Sequence, residues 1–123
     1  MIAALQGREF RPGTSEFGEA FETYLMHELR SYSDYLSGEA LSYWRSKSGF
    51  EVDFIIGDHT AIEVKAKKNL VSSDLKSLKA IAEEKKLKRY IVVSLEPRSR
   101  KVGEILILPY KRFLADLWAG KYS

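Results

Sequence analysis

Residues 90–95, YIVVSL, are apolar at nearly every position. A strand with one wet face alternates, so an unbroken apolar strand must be covered on both faces. Upstream, Leu75, Leu78, Ile81 and Ala82 recur at helical spacing as far as about Lys86. Residues 60–66 before them read as another strand. A strand–helix–strand unit closes by a right-handed crossover onto a parallel pair. The chain is therefore read as α/β, with helices layered on a mixed sheet.

The other elements follow from periodicity. Phe17, Phe21, Tyr24, Leu25, Leu29 and Tyr32 predict an amphipathic helix over 15–33, opened by Ser15 as N-cap with Glu16 and Glu19 near the positive end of its dipole. Residues 40–47 alternate as a strand, and Ser48-Gly49 is a turn. Residues 50–56 form a second strand, with Phe50, Val52, Phe54 and Ile56 expected on one face and Glu51, Asp53 and Ile55 on the other. After a break, Ser72 or Ser73 caps the second helix. Residues 97–103 read as a basic loop, 104–108 as an edge strand, and Pro109 opens a closing helix with Phe113, Leu114, Leu117 and Trp118 as core. The expected order is α-β-β-β-α-β-β-α, with an arm at 1–14 and one domain over 15–123.

The 123 residues suffice for one core and contain no cysteine, which excludes disulfides, zinc–thiolate sites and thiol nucleophiles. No apolar run is long enough to span a bilayer and the first residues lack a signal-peptide layout, so a cytoplasmic protein with no membrane partner is expected. The net charge of +3 conceals an asymmetry. Residues 1–64 carry a balance of −6 and residues 65–101 one of +8. The first half can gather cations, and the second can face a polyanion.

The charges of the second and third strands need explaining. In EVDFIIGDHTAIEVK, an even-length turn would put Asp53 and Glu63 on opposite faces; the three-residue turn at 57–59, preferred because it gathers Asp53, Glu63 and Lys65 in one place, pairs Ile56 with Thr60. Asp53 then lies opposite Glu63, and Glu51 opposite Lys65. Two facing carboxylates repel unless a cation sits between them. Their hard oxygens suit Mg²⁺, with Mn²⁺ as substitute. Such an ion activates water and stabilises charge on a phosphoryl oxygen. Lys65 is placed to orient or deprotonate that water, or to hold a phosphate. Glu22, on the edge of the apolar face of the first helix, is the candidate third carboxylate. The plain alternative is a wet strand face with surface charges, including a Glu51–Lys65 pair.

Glu28 falls near the centre of that apolar face. It is read as a buried structural carboxylate paired with Arg45, or else as the acidic member of the site in place of Glu22. His59 reads as a solvated turn residue. Alternation puts one of Tyr43 and Trp44 in the core. Lys67, Lys68, Arg98, Arg100 and Lys101 are the best-placed candidates for nucleic-acid phosphate contacts, which give salt-dependent, sequence-independent binding.

Glu22 in GEAFE, Asp53 in EVDFII and Glu63-Val64-Lys65 in IEVK resemble the motif of the PD-(D/E)XK nuclease superfamily, although no proline precedes the aspartate. A narrower resemblance covers most of the chain. GEAFETYLMHELRSY, YWRSKSGFEVDFIIG, AIEVKA, DLKSLKAIAEEKKL, YIVVSLEPRSR and ILPYKRFLADLW are similar to the uncharacterised C-terminal domain of prokaryotic AAA-type ATPases. No G-x-x-x-x-G-K-[ST] is present, so the expectation is the nuclease-like domain alone.

The resemblance implies a restriction-endonuclease-like three-layer core and a Mg²⁺-dependent endonuclease or exonuclease acting on DNA. Asp53, Glu63 and the Val64 carbonyl would bind metal. Lys65 would assist the water, and Glu22 would hold a second metal or Lys65. Implied partners are DNA, an ATPase domain or subunit, and a second copy of the chain. The rival reading is a non-catalytic DNA-binding or protein-interaction module of such an ATPase.

Overall fold

The computed structural model describes residues 15–122; the arm expected at 1–14 lies outside them. Helix α1 spans Ser15–Tyr32. Phe17, Phe21, Tyr24, Leu25, Leu29 and Tyr32 are all buried, so the predicted stripe is the one that faces the sheet. The chain does not stop at residue 33. One wider π-helical turn, Ser33–Ser37, follows, and Gly38 closes it with φ 67° and its N–H on the Ser33 carbonyl at 2.8 Å. That left-handed conformation suits a residue without a Cβ.

Six strands follow: β1 Leu41–Arg45, β2 Glu51–Ile56, β3 Thr60–Lys65, β4 Arg89–Ser94, β5 Arg100–Val102 and β6 Ile105–Pro109. They form one mixed sheet in the order β1-β2-β3-β4-β6-β5. The β3–β4 and β4–β6 pairs are parallel and the rest antiparallel. Helix α2, Lys76–Glu84, makes the crossover between β3 and β4, and α3, Tyr110–Trp118, closes the chain.

Apolar residues of β4 point alternately to two cores. Ile91 and Val93 join α1 and α3 on one face, while Tyr90 and Val92 join α2 on the other. Both faces are covered, as the unbroken run requires.

Three expectations need correcting. Residues 100–102, read as loop, form edge strand β5, so 105–109 is an interior strand between β4 and β5. Burial of Ile105, Ile107 and Leu108 fits that interior place. The second helix has no side-chain cap and is preceded by a 3-10 turn, Ser72–Leu75, whose entry is closed by Asp74: its carboxylate accepts the Val71 N–H at 2.9 Å. Neither serine supplies that bond. Third, β2 does not alternate throughout: Val52 packs on the α2 side, whereas Phe54 and Ile56 pack on the α1 side.

The cause is a β-bulge. Ser42 pairs with Ile55, but Trp44 pairs with Val52, so Tyr43 of β1 opposes both Asp53 and Phe54 of β2. An extra residue reverses the phase of every side chain beyond it. Trp44 is buried and Tyr43 exposed.

Phe21 ties α1 to α3. It is fully buried, stacks on Phe17 at 6.1 Å and meets the Tyr110 ring edge-on at 5.5 Å. Phe21→Ala is expected to cost about 3–5 kcal/mol through lost burial and the cavity left behind. Urea denaturation would measure it, and a loss under about 1 kcal/mol would mean that this helix pair repacks freely.

Candidate functional site

The β2–β3 hairpin has the three-residue turn. Ile56 pairs with Thr60, Ile55 with Ala61 and Phe54 with Ile62, where the ladder ends. Asp53 and Glu63 come next in that register, at the bulge. Here the carboxylates replace the ladder. Glu63 Oε1 accepts the Asp53 N–H at 3.3 Å, and Asp53 Oδ2 accepts the Val64 N–H at 2.8 Å. Each strand's side chain thus satisfies a backbone donor of the other.

Glu63 is only 4% exposed, in a strand buried at its first four positions. Burial pushes its carboxyl up to about 8, helped by the charge of Asp53 and a hydrogen bond to the Asp53 carboxyl; Lys65 pulls the other way. Glu22 also titrates above its ordinary value, through desolvation first and then the charge of Asp53, again opposed by Lys65. Glu22, Asp53, Glu63 and Lys65 therefore share one electrostatic neighbourhood built from α1, β2 and β3. No carboxylate among the described residues lies within ion-pair distance of Lys65.

This donor set fits a divalent cation in a limited way. Among the described residues no three acidic or imidazole groups converge tightly enough to enclose an ion. Two adjoining carboxylates that resist joint ionisation are nonetheless what Mg²⁺ relieves, because it takes one or two carboxylates and keeps much of its water.

A cavity of about 660 Å³ opens beside Asp53. Glu22, Met26 and Arg30 of α1 form one wall, and Ser42 and Tyr43 of β1 another. No motif or spacing marks Arg30 or Tyr43 as bordering the site; the bulge and the packing of α1 bring them there.

Several expected partners differ. Arg45 binds Glu51 at 3.2 Å rather than Glu28, because β1 and β2 pair those two positions directly. The Glu51–Lys65 surface pair of the alternative reading does not form among the described residues, since Glu51 pairs with Arg45. Glu28, half-buried, accepts the Trp118 indole N–H at 3.2 Å, and Trp118 is itself 41% exposed rather than core.

His59 is buried, not solvated. Its Nε2 meets Glu39 Oε2 at 2.8 Å and its Nδ1 meets Thr60 Oγ1 at 2.7 Å. Gly57, at φ 56°, lets the turn pass close to Glu39; a Cβ there would collide with that carboxylate. Nothing in local sequence signals a contact twenty residues apart.

Of the five candidate phosphate-contacting cations, Lys67 is held by Asp74 at 2.7 Å and Arg100 by Glu96 at 2.8 Å. Lys68, Arg98 and Lys101 are exposed and form no ion pair among the described residues.

The raised carboxyl of Glu63 fixes a pH dependence. Its ordinary value is 4.5 and its folded value about 8, so in that interval the folded state binds a proton that the unfolded state does not. Stability is full below the lower value and is lost as pH rises through the upper one. Metal-free protein should melt at progressively lower temperature from about pH 5 to about pH 9. Glu63→Gln, which copies the protonated group, should flatten that slope. Equal slopes for the two proteins would show that Glu63 is not the titrating group.

Comparison with known proteins adds the family. A family model described as "Domain of unknown function (DUF4143)" matches residues 17–113, a stretch that holds Glu22, Asp53, Glu63 and Lys65. No curated protein and no solved structure matches the chain. With all but the first two residues of α1, the whole sheet and the start of α3 inside the match, the chain belongs to the DUF4143 family, a domain of unknown function.

Proposed function

We propose that this chain is a metal-dependent nuclease domain of restriction-endonuclease-like fold that hydrolyses DNA phosphodiester bonds. The observation that carries the reading is the pair of crossed carboxylates, Asp53 and Glu63, at the bulge where β2 and β3 stop pairing. Asp53 and Glu63, with the Val64 carbonyl, would hold Mg²⁺ or Mn²⁺. Glu22 stands at the margin of the same site for a second ion or for Lys65. A bound ion supplies Lewis acidity, lowering the pKa of water and stabilising charge on a phosphoryl oxygen.

The chain's own residues do the rest. The Asp53 and Glu63 carboxylates are fixed by backbone N–H donors, so their oxygens are pre-oriented. Lys65, half-buried and without an ion-pair partner among the described residues, is available to orient the attacking water or a phosphate oxygen. Lys68, Arg98 and Lys101 supply positive charge for the strand's backbone. The PD-(D/E)XK resemblance supports the same assignment, and it carries with it an AAA-type ATPase domain or subunit, and a second copy of the chain, as proposed partners.

A second reading has its own support. The same crossed bonds give both carboxylates a structural task, which suits a non-catalytic DNA-binding or protein-interaction module of such an ATPase. Cleavage of supercoiled, linear, branched and single-stranded DNA, with RNA alongside, in Mg²⁺ or Mn²⁺ decides between them. The nuclease reading expects cleavage, a loss of about 10²-fold or more in Lys65→Ala, and loss of both Mn²⁺ binding and cleavage in Asp53→Ala. Equal Mn²⁺ binding by wild type and Asp53→Ala would sink the metal site. An absence of cleavage by wild-type protein on every substrate favours the binding module.

A further inference from the structure

Two loops leave neighbouring parallel strands at their carboxyl ends, residues 66–71 after β3 and residues 95–99 after β4. Loops at the carboxyl ends of parallel strands are common carriers of binding residues because the sheet holds their roots rigid. Here the loops and the start of β5 border an open cleft of about 410 Å³, lined by Lys68, Asn69, Arg98, Ser99 and Arg100, with Glu96 in its wall.

The cavity is built on a fixed base. Glu96, 8% exposed, accepts Arg100 Nε at 2.8 Å, Arg100 Nη2 at 2.9 Å and the Leu70 N–H at 2.7 Å. Arg100 Nη2 also donates to the Leu70 carbonyl at 3.0 Å. Those bonds hold the Glu96 carboxyl below its ordinary range, the Arg100 guanidinium being the largest cause. The Glu96 charge is thus matched by Arg100. Lys68 and Arg98, with no ion pair among the described residues, leave the cavity about two positive charges in excess.

A phosphodiester carries one negative charge and lies along an open surface. A terminal phosphate monoester carries about −1.5 to −2 charges near neutrality and three acceptor oxygens. A concave site with two unmatched cations, the Asn69 amide and the Ser99 hydroxyl suits the second. Lys68 follows Lys65 by three residues, so their Cα atoms are at most about 11 Å apart. That is about three rises of 3.4 Å along a nucleic-acid strand.

We propose that this cavity receives the terminal phosphate of a DNA strand a few nucleotides from the site at Asp53, Glu63 and Lys65. The inference rests on the nucleic-acid part of the function proposed above. It makes the domain end-directed: Lys68 and Arg98 bind the monoester, and the Glu96–Arg100 pair positions the two loops.

The test is fluorescence anisotropy with single-stranded DNA bearing a 5′-phosphate, a 3′-phosphate or hydroxyl ends, in chelator so that nothing is cut. One phosphorylated end should bind about tenfold tighter than the hydroxyl-ended strand. The Lys68→Ala/Arg98→Ala double variant should bring that ratio to about one, while Lys47→Ala/Lys111→Ala, which removes the same charge elsewhere, should keep it. No end preference in wild type, or a preference that survives in the Lys68/Arg98 variant, overturns the proposal. So does adenosine monophosphate that binds as tightly as the phosphorylated strand, since the cavity would then be a free-nucleotide site. An end preference without any metal-dependent cleavage upholds the pocket and defeats the nuclease reading alone.

Discussion

A carboxyl group buried in the sheet is the constraint around which this domain is arranged. Glu63 belongs to β3, the strand that joins the antiparallel hairpin to the parallel half of the sheet. Burying it ionised beside Asp53 would leave two unmatched charges in low dielectric. The fold answers with a proton, with the Asp53 N–H, and with the approach of Lys65. Accommodating two carboxyls at one rung also ends the β2–β3 ladder, and the bulge against β1 falls at the same place. The distortion of the sheet and the chemistry of the site have one origin.

Elsewhere, charge is spent on holding loops. Lys67–Asp74 pins the segment after β3 to the turn that starts α2, and Glu96–Arg100 pins the same segment to β5 through both backbone groups of Leu70. Asp74 illustrates the balance. Burial alone would raise its carboxyl, but the bonds from Lys67 and the Val71 N–H outweigh that and lower it. Such pairs are partly exposed and individually weak, yet they fix backbone that no strand or helix fixes. The basic half of the chain thus divides into cations with a structural task and exposed cations that form no ion pair among the described residues, a division that net charge alone conceals.

Membership of a family defined by an unknown function makes the site, rather than the fold, the source of any functional argument. The crossed carboxylates and the cavity along α1 share Asp53, whereas the cavity of about 410 Å³ lies on the loops after β3 and β4. All depend on where β2, β3 and β4 end. No described helix is long and apolar enough to cross a membrane.

Three helices, five of the six strands and their layering were legible in the sequence. Periodicity along 15–33 and the unbroken run at 90–95 specify which faces are buried, because burial of apolar surface is a local property of a helix stripe or a strand. The hairpin register was legible only as a choice, because an odd turn brings Asp53 to Glu63 and an even one parts them; the structure has the odd turn. The tertiary structure alone decided the rest. The bulge opposite Tyr43, the insertion of β5 beside β6, the partners of Arg45 and Glu28, and the burial of His59 against Glu39 all depend on pairing between distant segments. Sequence spacing carries no record of such contacts: an edge strand of three residues has no period to read, and a charge's partner is fixed by which surfaces the packed core brings together.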